Sequence, residues 1–166
     1  ASYTEAWQES VIRPSICIKY WNPPAFSDIV DFATAAGNFE AIYALTSHSG
    51  VLVSTDGGAS FDQAAPHPEA NGLPASGATS LVVLPGTPAT LWVSTAEDGI
   101  WRYQSGLWNR MDGSTATGCA GLPVLTTASL LALERTLVFG TDRHGLWASV
   151  DGGATCHVVF DGGVHG

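Results

Sequence analysis

A chain of 166 residues with a net charge of −9 and only 13 % charged side chains is one domain's worth of polypeptide, poorly suited to nucleic-acid phosphates or to an anionic lipid face. High glycine (19 residues), six tryptophans and many short apolar runs indicate an all-β protein with numerous turns. No apolar run approaches the roughly 20 residues that a membrane helix needs.

Residues 1 to 24 form an N-terminal extension outside the pattern of the rest. Within it Ile16, Ile18 and Tyr20 alternate with Cys17, Lys19 and Trp21, which is strand periodicity, and Asn22-Pro23-Pro24 ends the run. This strand has no partner in its own segment, so it is expected to complete a sheet elsewhere, in this molecule or in a neighbour. The chain opens on Ala1 with no methionine and no charged apolar leader, as a mature secreted protein does after signal cleavage. An extracellular or cell-surface location is the expectation.

Residues 25 to 166 repeat. The marker is Thr-x-x-x-Gly followed by an apolar run: Thr46 to Gly50, Thr95 to Gly99 and Thr141 to Gly145, spaced 95 − 46 = 49 and 141 − 95 = 46 residues apart. Gly72-Leu73-Pro74 returns as Gly121-Leu122-Pro123, and the run from Ser80 to Leu84 returns from Ser129 to Leu133, each 49 residues on. Four short strands are predicted in each repeat: 29–34, 42–45, 51–54 and 60–64; 80–84, 91–94, 100–103 and 107–111; 129–133, 137–140, 146–149 and 155–160. A unit of about 45 residues with four antiparallel strands is the size of a β-propeller blade. The prediction is therefore about three four-stranded blades plus the N-terminal strand.

Ser54-Thr55-Asp56-Gly57-Gly58-Ala59-Ser60-Phe61 joins the last two strands of the first repeat and returns as Ser149-Val150-Asp151-Gly152-Gly153-Ala154-Thr155-Cys156. Paired glycines supply positive φ, while Asp and Ser side chains accept hydrogen bonds from turn amides. Ser-x-Asp-Gly-Gly-x-Ser/Thr-aromatic resembles the Asp-box (BNR repeat) of sialidase-like β-propellers, and the resemblance implies propeller blades. It assigns Ser54, Asp56, Gly57, Gly58, Ser149, Asp151, Gly152 and Gly153 to structural turns. The second repeat lacks the box, and the third copy has Cys156 where an aromatic is usual.

Sialidase resemblance also implies glycoside hydrolysis, which the residues do not support. The arginines Arg13, Arg102, Arg110, Arg135 and Arg143 fall at scattered repeat positions, and adjacent Glu97 and Asp98 point apart rather than pairing across a cleft. No Gly-x-Ser-x-Gly elbow or phosphate-cradling glycine loop is present. The chain is expected not to be an enzyme and to need no cofactor. No Cys-x-x-Cys pair or histidine cluster suggests a metal. Trp92, Trp101 and Trp147 lie in strand runs and are expected to pack the core.

Propeller rings close with about four to eight blades. Three leave two apolar end faces, so the first expectation is a structural, self-assembling subunit, as a closed oligomer or a filament, acting through its blade faces and N-terminal strand. The alternatives are a glycan- or protein-binding module and a fragment of a glycoside hydrolase. The binding module would use the loops between second and third strands, with His48, Glu97, Asp98, Asp142, Arg143 and His144 on one rim. Three cysteines allow one internal disulfide at most. Cys156 and Cys119 belong to opposite rims and meet only if the loop from Asp112 to Val124 folds back, whereas Cys17 is placed to bond across chains.

Overall fold

The computed structural model describes residues 28–35, 37–47, 50–65, 77–112, 118–119, 122, 127–141 and 144–161. The predicted strand at 15–21, with Ile16, Cys17, Ile18 and Tyr20, lies outside them, as do His48, Asp142 and Arg143. The described residues form three four-stranded antiparallel sheets and no helix. Blade 1 holds β1 (Ile29–Ala35), β2 (Asn38–Thr46), β3 (Val51–Ser54) and β4 (Asp62–Ala65). Blade 2 holds β5 (Ala78–Leu84), β6 (Thr90–Thr95), β7 (Ile100–Gln104) and β8 (Leu107–Arg110), and blade 3 holds β9 (Thr127–Leu133), β10 (Thr136–Thr141), β11 (Leu146–Ser149) and β12 (His157–Phe160). Strands pair in sequence order within each sheet, and the first strands β1, β5 and β9 run side by side, which is the stacking of propeller blades.

The Thr-x-x-x-Gly marker is a hairpin device. Thr46, Thr95 and Thr141 each donate both backbone N–H and Oγ1–H to the carbonyl of the glycine four residues on, at 2.8 to 3.0 Å. That closure requires φ of 79°, 80° and 73° at Gly50, Gly99 and Gly145, a region open to glycine at no steric cost. In blades 2 and 3 the threonine Oγ1 also accepts the amides of Asp98 and His144. Two tryptophans then extend the motif: Trp101 Nε1 donates to the Asp98 carbonyl at 3.0 Å and Trp147 Nε1 to the His144 carbonyl at 2.8 Å. Leu52 stands at this position in blade 1 and has no donor to offer.

Strand alternation gives every blade two faces, and cross-strand register assigns each residue to one of them. Leu81, Leu91, Val93 and Trp108 of blade 2 pack on Leu45, Val51 and Ala65 of blade 1. On the other face Val82, Leu84, Trp92, Ile100 and Met111 pack on Leu130, Leu137 and Phe139 of blade 3. Trp92 is fully buried; Trp101 and Trp147 are half-buried at the same two interfaces, as expected of core packing. Asp31 in β1 ties blade 1 to blade 2, its Oδ2 accepting the amide of Leu81 at 2.8 Å.

The sequence predicts two open end faces, and the structure shows them open to different degrees. On blade 1, Ala44, Leu52 and Phe61 are 2 to 3 % exposed and form a small cluster of their own with Ile42. On blade 3, Leu131, Leu133 and Phe160 are 62, 69 and 66 % exposed. Phe61, at the end of the first turn, belongs to that cluster, while Phe32, which pairs with Ala44 on the same face, is 53 % exposed.

The cysteine expectation also shifts. Cys119 is disulfide-bonded to Cys156, with the Cα atoms 4.5 Å apart across 37 residues of sequence. Residue 119 is held at the rim of the second turn, where its amide meets the carbonyls of Gly153 and Ala154, each at 3.2 Å.

Candidate functional site

Both Ser-x-Asp-Gly-Gly turns are built from their own side chains. In the first, Ser54 Oγ accepts the Gly58 amide and donates to Asp56 Oδ1, each at 2.8 Å. Asp56 in turn accepts the Ser60 amide at 2.9 Å and the Ser60 hydroxyl at 2.6 Å. The second turn repeats this with Ser149, Asp151, Gly153 and Thr155. Hydrogen bonds to an ionised carboxylate favour that form. Those from Ser60, then Ser54, hold Asp56 at about 2, and those from Thr155 and Ser149 hold Asp151 lower still. Both carboxylates take part in holding their own turns.

The rim loops are held chiefly by their main chains. Glu97 is exposed and Asp98 half-buried, the latter engaged through its backbone by Thr95 and Trp101, and His144 is exposed and engaged in the same way. A residue that the sequence reading passed over braces this rim. Asp112 is fully buried, receives Arg110 Nε at 3.0 Å and the Ile100 amide at 3.4 Å, and lies directly under Gly99. A Cβ at residue 99 would collide with the Asp112 carboxylate. The rim is therefore a supported hairpin end in blade 2, with the buried Asp112 carboxylate beneath it.

The opposite rim holds a cleft of ≈ 530 Å³ between blades 2 and 3. Its walls are the β5–β6 connection (Pro85, Gly86, Thr87, Pro88), Arg102 and Gln104 of β7, Arg135 in the β9–β10 turn, and Asp151, Gly152 and Ala154 of the second turn. Arg102 and Arg135, scattered in sequence, are thus brought to one site. The Arg102 guanidinium lies 5.8 Å from the centroid of the Trp92 ring, its Nε is buried with no hydrogen-bond partner, and burial pushes its pKa down from the ordinary value. Among the described residues neither Arg102 nor Arg135 has a salt-bridge partner. No sequence signal marked this site, because its residues come from four different connections.

No family model matches the chain, and no curated protein matches it. Solved structures do. The GH74 enzyme of Niastella koreensis superposes with a TM-score of 0.54 at 20 % identity over 80 % of this chain and 22 % of its own. The GH74 xyloglucanase of Xanthomonas campestris gives 0.54 at 19 % identity over 79 % of this chain and 23 % of its own. YCF48 of Cyanidioschyzon merolae gives 0.52 at 16 % identity over 81 % of this chain and 38 % of its own. The chain thus spans about a quarter of the GH74 enzymes and under half of YCF48, and what it is similar to in all three is the β-propeller fold.

Proposed function

We propose that this chain is a non-catalytic propeller module that works by association, through the uncovered face of blade 3. One observation carries the reading. Val82, Leu84 and Met111 of blade 2 are 9, 5 and 0 % exposed because blade 3 covers them. Leu131, Leu133 and Phe160 occupy the equivalent positions in blade 3, are equally apolar, and are 62 to 69 % exposed. Val138 and Leu146 lie on the same face by register and are half-buried. A sheet face patterned like a blade interface supports another blade as its occupant. A second copy of this chain supplies one. The blade 1 face, with Ala44, Leu52 and Phe61 buried and Phe32 exposed, presents less apolar surface than the blade 3 face, which favours a face-to-face pair, closing at two copies, over head-to-tail growth into a filament.

The disulfide supports a secreted, oxidising location. Self-satisfied Asp56 and Asp151 support a non-catalytic role and membership of the Asp-box class. The rim carrying Glu97, Asp98 and His144 is not needed for this reading. Sedimentation of the full chain tests it: the wild type is expected at twice 17.3 kDa, and Leu131→Asp with Leu133→Asp at 17.3 kDa with its fold intact. A wild type that sediments as a single copy at its highest soluble concentration would sink the proposal. Hydrolysis of xyloglucan by the purified chain would sink the non-catalytic part.

A further inference from the structure

We propose that the cleft between blades 2 and 3 binds an acidic saccharide, its carboxylate taken by Arg102 and Arg135 and its hydroxyls by Asp151 and Gln104. The cleft is net positive in a chain that is strongly acidic: two of the six basic side chains in the whole sequence line it, against one carboxylate, Asp151. Neither guanidinium is neutralised by an ion pair among the described residues. Arg102 Nε is out of water and holds an unused donor, an arrangement that costs free energy unless an acceptor arrives. The Trp92 ring, its centroid 5.8 Å from the guanidinium carbon, gives the group a cation–π contact. A planar fork of donors held in place is what bidentate carboxylate recognition requires.

The other walls choose the kind of oxyanion. Asp151 stays ionised, with its oxygens receiving Ser149 Oγ and the Thr155 amide and hydroxyl. A carboxylate retains acceptor capacity beyond those bonds, suited to sugar hydroxyls, and it repels a phosphate dianion. Thr87, Thr90 and Gln104 add neutral hydrogen-bonding groups, and Pro85 and Pro88 add apolar ones. A volume of ≈ 530 Å³ lies inside the ~300 to 1,000 Å³ range of small-molecule sites and exceeds what an inorganic anion fills.

Titration of the full-length ¹⁵N-labelled chain with galacturonate, galactose and inorganic phosphate tests the proposal. Galacturonate is expected to shift the amides of Leu84, Gly86, Thr87, Ala89 and Thr90, of residues 102–105, of Arg135 and of residues 151–154 saturably, with galactose and phosphate at least about tenfold weaker. Arg102→Gln and Arg135→Gln should each weaken galacturonate by about tenfold or more, the loss of one charge-assisted hydrogen bond. Arg135 is exposed, so its variant keeps the test valid if the Arg102 change perturbs folding. No saturable shift with galacturonate, phosphate binding as tightly as galacturonate, or full affinity in Arg135→Gln would each overturn it. The shifted amides are distinct from the exposed face of blade 3, so this result stands or falls separately from association.

Discussion

The turns at residues 54–61 and 149–156 share one hydrogen-bond pattern and almost one sequence, yet their surroundings have little in common. The first sits at an end of the three-blade stack. A Cβ on Gly58 would meet only Ile42 Cδ1, at an ordinary 3.6 Å, and Phe61 packs in a small cluster with Ala44 and Leu52. The second is wedged between blades. Gly153 packs so closely on the Trp92 ring that a Cβ there would collide with it, its carbonyl receives the Cys119 amide, and its neighbours line the arginine cleft. Even the break in the pattern falls at one position: Phe61, Trp108 and Cys156 occupy equivalent sites on the three blades, and the third is tied to Cys119 by the disulfide. A local motif thus sets a backbone path, while the neighbouring blade decides what that path is used for.

The glycines break this comparison most sharply. Both have φ near 90°, so alanine at either site costs about 1 to 2 kcal/mol of left-handed backbone strain. At residue 153 a collision with Trp92 is added, for a total of about 4 kcal/mol, and at residue 58 none is. Denaturant unfolding of Gly153→Ala and Gly58→Ala is therefore expected to differ by about 2 to 3 kcal/mol. Equal losses would show that the second turn is not wedged.

Next in size is the covalent tie. Cys156→Ala removes a cross-link closing 37 residues and is expected to cost about 2 to 4 kcal/mol, read as a lower thermal midpoint insensitive to reductant. The serines come third. Ser54 and Ser149 are 1 and 0 % exposed and each satisfies a turn amide, so either change to alanine should cost about 1 to 2 kcal/mol. Near-equality of that pair, against the inequality of the glycine pair, would separate the turn's own contribution from that of its surroundings.

The smallest effect is one of pH. Asp56 is held at about 2, below its unfolded-state value, so its contribution is complete above roughly pH 4 and is lost as pH falls through 2. Asp151 shifts in the same direction and further. Carboxyl NMR titration should show Asp56 protonating first and Asp151 at still lower pH, and Asp56→Asn should remove the first step.

All twelve described strands and their grouping into three blades were legible in the residues, because each hairpin is closed by neighbours in sequence. Thr95 and Gly99 make the β6–β7 turn with atoms four residues apart, and Ser149, Asp151 and Thr155 do the same for β11–β12. β3 and β11 have the predicted ends, and the ends of the other strands lie within four residues of theirs; β2 begins at Asn38 and pairs across Gly37 with β1, which apolar periodicity alone does not mark. The blade faces were harder to read. Alternation divides β9 into a face with Leu130 and a face with Leu131, but only the stacking of blade 2 against the first leaves Leu131 exposed.

Local sequence therefore determined the hairpins, the turns and the repeat, since those depend on backbone conformation and on hydrogen bonds spanning a few residues. Tertiary structure alone decided that Cys119 meets Cys156, that Asp112 supports Gly99, and that Arg102 and Arg135 share a cleft. Those contacts form between separate strands, turns and connections, and their positions are fixed by the stacking of one sheet's side chains on the next, a relation that no spacing within a single repeat encodes.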